Sequence, residues 1–137
     1  MRLIAPLAAA AAILAGCASP EPPSAVCRDP LKPALAVELF FGRALPGGGE
    51  VSDADWNAFL ASEVSPRFPD GLSVLDVAGQ YRGRDGKIVR ERSKQVVVVV
   101  FDAPAHAPRV DAIAAAYRSR FRQESVFRVE RPVCAGL

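Results

Sequence analysis

Lys87 to Phe101 is one long stretch with two characters, and it constrains the fold more than any other part of the chain. Its second half, Val96-Val97-Val98-Val99-Val100-Phe101, is apolar at every position. β-Branched side chains crowd a helix and fit a pleated strand, and apolar residues at both parities predict a strand buried on both faces. Such a strand belongs in the middle of a sheet. The first half, Arg90-Glu91-Arg92-Ser93-Lys94, is polar, so the same strand is expected to run out of the core at one end.

The elements around it follow from local chemistry. Ala36 to Arg43 is an expected first strand, rich in β-branched and aromatic residues and closed by Gly42. Pro46-Gly47-Gly48-Gly49 is a loop. No GK[ST] or GxGxxG follows it, so it is expected to be a flexible connection rather than a phosphate cradle. Ser52-Asp53-Ala54-Asp55 opens a helix: the hydroxyl caps free amides and the acids suit the positive end of the dipole. Trp56, Phe59, Leu60 and Glu63-Val64 recur at helical spacing, and Pro66 ends the run.

Pro69-Asp70-Gly71 punctuates a turn before a second strand, Leu72 to Arg82, and Gly83-Arg84-Asp85-Gly86 makes the hairpin into the long strand. After a Pro/Ala loop carrying His106, a second helix presents Val110, Ile113, Ala114, Tyr117 and Phe121 on one face. Arg118, Arg120 and Arg122 crowd its C-terminal end, as the dipole favours. Ser125 to Arg131 alternates as a fourth strand that Pro132 is expected to stop.

The order is βαββαβ. It predicts an α+β fold: a ferredoxin-like sandwich whose four-stranded antiparallel sheet carries both helices on one face. In that topology strands one and three are central, matching the two most apolar strands. Residues 36–137 are expected to form one such domain. One sheet face then lacks helices, and its apolar residues, among them one of Phe40 and Phe41, predict a homodimer or envelope-protein contact there.

The N-terminus sets the address. Arg2 is followed by an almost unbroken apolar run and then Leu14-Ala15-Gly16-Cys17. The run is too short for a hydrocarbon core of about 30 Å, which needs about 20 helical residues. It reads as a signal peptide (1–16) ending in a lipobox, with small residues before the only thiol there that can be acylated, Cys17. Residues 17–35 are expected to be the lipidated Cys and a proline-rich tether. The nine residues between Cys17 and Cys27 reach about 28 Å when extended, at about 3.1 Å per residue. Ala18 in place of Asp after Cys17 favours the outer membrane under the sorting convention of related lipoproteins.

Export makes a disulfide the natural fate of the remaining pair, Cys27 and Cys134. Strand four is expected beside strand one, so the chain entering one lies near the chain leaving the other.

Net charge is +2 with both signs interleaved, which does not indicate a nucleic-acid partner. His106 is the sole histidine and no CxxC or HExxH occurs, so neither metal nor cofactor is expected. Ser93 and Ser125 have no neighbouring base, which makes an enzyme the weaker class. The polar residues worth weighing as anion or partner contacts are Arg43, Arg67, Asp70, Arg90, Glu91 and Lys94, since guanidinium groups hold carboxylate or phosphate through paired bonds. The expected strand directions put Arg43 near the Arg67–Asp70 turn and the polar half of the third strand at the other end.

Glu38-Leu39-Phe40-Phe41-Gly42-Arg43, Pro66-Arg67-Phe68-Pro69-Asp70-Gly71, Glu91-Arg92-Ser93-Lys94 and Gln123-Glu124-Ser125-Val126 resemble, in order and spacing, an uncharacterised bacterial lipoprotein family, domain of unknown function 3574. The resemblance spans about Ala36 to Cys134. It implies an envelope address and contributes no catalytic residue. The expectation is therefore a lipid-anchored, periplasm-facing binding or assembly module. The alternative is a small cofactor-independent enzyme or anionic small-molecule binder on a dimeric ferredoxin-like scaffold.

Overall fold

The computed structural model describes residues 26–137; the expected signal peptide, the lipobox Cys17 and most of the tether lie outside them. The long strand, β3, runs Ile88–Val100 and pairs with neighbours on both sides. β1 (Lys32–Gly42) lies antiparallel on one side of it, β2 (Ser73–Arg82) on the other, and β4 (Phe127–Ala135) completes the order β2-β3-β1-β4. Helices α1 (Asp53–Phe59) and α2 (Ala107–Phe121) join the strands, giving the expected α+β ferredoxin-like sheet with β1 and β3 central.

One face of the sheet carries the core. Val37, Leu39 and Phe41 of β1 and Val96, Val98 and Val100 of β3 alternate onto it. They are buried with Trp56, Phe59, Val64, Val110, Ile113 and Tyr117. Removing each aliphatic side chain from water contributes about 1.5–3 kcal/mol, and this face dominates the favourable side of folding. Phe41, Trp56, Phe59, Tyr117 and Phe121 make a continuous aromatic cluster, with Phe41 and Tyr117 centroids 4.8 Å apart.

The strands and the first helix depart from expectation in detail. The apolar half of β3 is not covered on both faces. Both helices sit on one side, so Val97 is only half-buried and Val99 is 43% exposed. β1 starts at Lys32, inside the expected tether, and β4 runs through Pro132 to Ala135. Both prolines sit where a strand is paired on one side only: Pro132 on the edge strand and Pro33 beyond the last β1–β3 pair, Leu35 with Val100. A missing N–H that points outward breaks no ladder bond, so the ladder extends past both.

The first helix also changes character. Ser52 caps it as expected, its Oγ accepting from the Asp55 amide at 3.0 Å. From Leu60 to Val64 it widens into a π-helical turn, closed by the Ser65 amide donating to the Leu60 carbonyl at 2.9 Å. The extra residue per turn brings Val64 into the core, while Glu63 stays partly in water.

The glycine loop forms a turn. Gly47, Gly48 and Gly49 all have positive φ, which side-chain-bearing residues rarely adopt. They fold the chain back so that Glu50 pairs with Ala44 and the Val51 amide donates to the Arg43 carbonyl at 2.8 Å.

Candidate functional site

The inward-facing row of β1 ends in a charge. Arg43 continues the parity of Val37, Leu39 and Phe41, so its side chain turns under the helices and is 2% exposed. Its Nε donates to the Val51 carbonyl at 2.7 Å, which the glycine turn has brought alongside. One terminal nitrogen lies 3.0 Å from Asp53 Oδ1 and the other 3.8 Å from Glu50 Oε1. Lys94 stands opposite Phe41 across the ladder, equally turned inward, with Nζ 2.6 Å from Asp76 Oδ1 and 3.4 Å from Asp53 Oδ1. Asp53 therefore bridges the two buried cations, and Arg92 closes the group by pairing with Glu50 at 3.1 Å.

The electrostatics of this cluster are inverted from the usual arrangement. The cations are inside, with side chains 2% and 10% exposed, while Asp53 and Asp76 reach water at 69% and 68%. Guanidinium and ammonium stems are apolar enough to cross a core edge, and the hydrated carboxylates meet the heads there. The hydrogen bond from Lys94 holds the Asp76 carboxyl below its ordinary range. Tyr117 donates to the Gly42 carbonyl at 2.9 Å, and burial pushes its phenol well above the ordinary tyrosine value, so it stays a neutral donor.

A second polar group lies between β4 and the start of α2. His106, 3% exposed, places Nε2 2.9 Å from Glu130 Oε1. Burial would raise the Glu130 pKa, but bonds from His106 and Arg128 outweigh it and the carboxyl sits below its ordinary value. An ionised carboxylate only accepts, so Nε2 carries the hydrogen. His106 Nδ1 is buried with no hydrogen-bond partner among the described residues. Arg128 also reaches Asp111 at 3.0 Å.

The expected site residues do not share one place. Arg43 and Lys94 meet through Asp53, contrary to the expected geometry. The antiparallel register sets Gly42 opposite Ser93, so the polar half of β3 flanks the end of β1. Arg67 and Asp70 lie at the other end: Arg67 pairs with Glu63 at 2.9 Å, and Asp70 borders a groove described below. Arg90 and Glu91 line a shallow recess with Ala78, Gly79, Gln80 and Arg92 on the β2–β3 hairpin. Glu91 also approaches β1, where a Cβ on Gly42 would stand 2.8 Å from its carboxylate.

Glu50, Asp53, Asp76 and the His106–Glu130 pair were missed. Asp53 carried only a capping signal and Asp76 only strand alternation. Writing out the β1–β3 antiparallel register by hand would have aligned Arg43 with the charges of β3.

The pair Cys27–Cys134 is bonded as expected, with Cα atoms 5.5 Å apart. Among the described residues, no three His, Cys, Asp or Glu side chains are placed to hold a metal, and no helix is long and apolar enough to cross a membrane.

Residues 36–137 match the sequence profile of a family described as protein of unknown function (DUF3574). No curated protein sequence matches. Among solved structures the chain is similar to a phage SAM lyase in complex with S-methyl-5'-thioadenosine, with TM-score 0.58, 19% identity, and 74% of this chain and 90% of that chain covered. The same phage enzyme in its apo state gives TM-score 0.58 at 16% identity, covering 82% and 92%. CutA from Synechococcus elongatus PCC7942 follows with TM-score 0.47 at 14% identity, covering 74% and 78%. At these identities the lyase likeness is one of fold.

Proposed function

The chain belongs to the DUF3574 family, and on that premise we propose that it is an envelope lipoprotein. It is lipidated at Cys17, faces the periplasm from the outer membrane, and works as a binding or assembly module. One observation carries most of the weight: the Cys27–Cys134 disulfide, 107 residues apart in sequence, is a bond that persists in oxidising compartments and is rare in the cytosol. It agrees with the signal peptide and lipobox read from residues 1–17. The buried cations belong to the fold rather than to a site, since Arg43 and Lys94 are already matched by carboxylates of the same chain.

Partner contact falls to the open sheet face. There Phe127, Tyr81 and Leu75 are 66%, 53% and 45% exposed, around a polar centre where Glu38 accepts from Gln95 at 2.7 Å and pairs with Arg131. A second copy of the chain fits a face that mixes apolar area with self-satisfied charge. Mass spectrometry of the protein from its native membrane tests the address. The expected N-terminus is Cys17 carrying diacylglycerol and an amide-linked acyl chain; an unmodified Cys17 removes the lipoprotein reading. Sedimentation that stays monomeric at high micromolar concentration removes the dimer.

The second reading, a cofactor-independent enzyme or small-anion binder, draws on His106, which is oriented by Glu130 and has Nδ1 left unpaired. Histidine nitrogen resonances that stay unmoved by a panel of small carboxylates and phosphates would discard it.

A further inference from the structure

On the lipid-anchored reading above, the end of the sheet nearest Cys27 faces the anchor. The β2–β3 ladder stops at Ser73 opposite Val97, three residues before β3 ends, and leaves a gap beside the last valines. The gap is a groove of about 730 Å³ walled by Phe68 and Leu72, floored by Val97, Val99 and Phe101, and reached by Leu137 of the C-terminal tail. Phe101 is 61% exposed, Val99 43% and, beside the start of β1, Leu31 40%. Large apolar side chains left in water at one place mark a contact surface.

The position of the tether names the occupant. Cys27 is bonded to Cys134, which pairs with Pro33 at this same end, so the chain preceding residue 26 leaves the domain beside the groove. Cys17 is nine residues further on, within about 28 Å at about 3.1 Å per residue. A bilayer holding Cys17 therefore stays within that reach of these side chains. Charge agrees: Arg28, Lys32 and Arg109 are balanced by Asp29, Asp70 and Asp102 around this end. Arg109 is further tied to Asp102 and lies over the Phe68 ring at 4.9 Å.

We propose that this end of the domain is a membrane-contact surface, with Leu31, Val99, Phe101 and the groove walls entering the boundary between lipid headgroups and acyl chains. A weak affinity suffices, because the tether makes the contact intramolecular. Surface and anchor together hold the domain by this end and leave the Arg43 end, with Phe127 and Tyr81 at the far part of the open face, turned away from the lipid.

The test uses the chain from residue 17 onward carrying Cys17→Ser, purified without any anchor, and flotation with phosphatidylcholine vesicles. The expected result is co-flotation that persists equally at low and high salt. Phe101→Asp and Val99→Asp should each lower partitioning by roughly tenfold, the scale set by failing to bury one large apolar side chain. Ile88→Asp on the β2–β3 hairpin, exposed and far from the groove, should not change it. The thermal transition of each variant verifies folding, and Phe101→Ala gives a milder substitution with the same direction. Absence of flotation by the folded Cys17→Ser chain overturns the proposal, as does an equal loss from Ile88→Asp. If Phe101→Asp instead dissolves a dimer present without vesicles, the surface belongs to a second copy and the proposal falls. Because no lipid is attached, these outcomes are independent of the mass spectrum that decides the anchor.

Discussion

Where β1 runs out, Arg43 and Lys94 are buried and the carboxylates they meet reach water; where β1 begins, a disulfide closes the chain while Val99 and Phe101 stand in water. The two ends of one sheet thus break the simple partition of apolar in and charged out in opposite directions. At the first end the exception is met inside the chain, cation by carboxylate. At the second, apolar side chains stand in water beside a covalent bond. The contrast separates a structural polar cluster from a surface with contact still to make.

The sharpest way to break the contrast is to cut the covalent end. Cys134→Ser should lower unfolding free energy by about 4–5 kcal/mol, the loop-closure value for a bridge spanning this much chain. Urea unfolding with and without reductant measures it, and the wild type under reductant should match the variant. A loss of less than about 1 kcal/mol would mean that the β1–β4 ladder holds that end without help.

The charged end should respond less, but still strongly. Arg43→Ala removes the ion pair to Asp53, the bond to the Val51 carbonyl and a buried stem, and should cost about 3 kcal/mol by equilibrium unfolding. The disulfide should remain intact. A cost near zero would class the cluster with ordinary surface pairs, which contribute between about 0 and 1 kcal/mol.

The smallest effect is the response to acid. Asp76 lies in the cluster at the charged end and Glu130 in the His106 cluster, and both carboxyls are held below their ordinary values of 3.8 and 4.5 in the folded protein. The unfolded chain then binds protons more readily. The stability these groups contribute is full above the ordinary carboxylate range and drains as pH falls through the folded values. Urea midpoints measured from about pH 6 to about pH 3 should decline below roughly pH 4.5. Glu130→Gln and Asp76→Asn should each flatten that decline; unchanged slopes would show that neither pairing is linked to folding.

Much of the fold was legible because it rests on neighbours in the chain. The valine run required a central strand, Ser52 marked a helix start, and the βαββαβ order left one economical topology. The misreadings have physical sources. A π-helical turn obeys a different period from the helix it interrupts, so Val64 is buried as expected while Glu63 leaves that face. Pro33 and Pro132 looked like strand breakers because their one-sided pairing was invisible.

The candidate site was half legible. Arg43 and Lys94 were chosen for their chemistry, but their company was not. Asp53, Asp76 and Glu50 join them only through the β1–β3 and β2–β3 registers and the glycine turn. His106 looked isolated in its loop, and Glu130, 24 residues later, supplied the partner through β4.

By itself the sequence determined the types of the main elements and their order, since periodicity and caps act locally, and that order brought Cys27 toward Cys134. Only the tertiary structure decided which charges meet, which valines are covered and where the apolar groove opens. Those depend on strand register and on which face the helices take. Both are set by the summed packing of the whole core, so a one-residue slip would turn every inward side chain out.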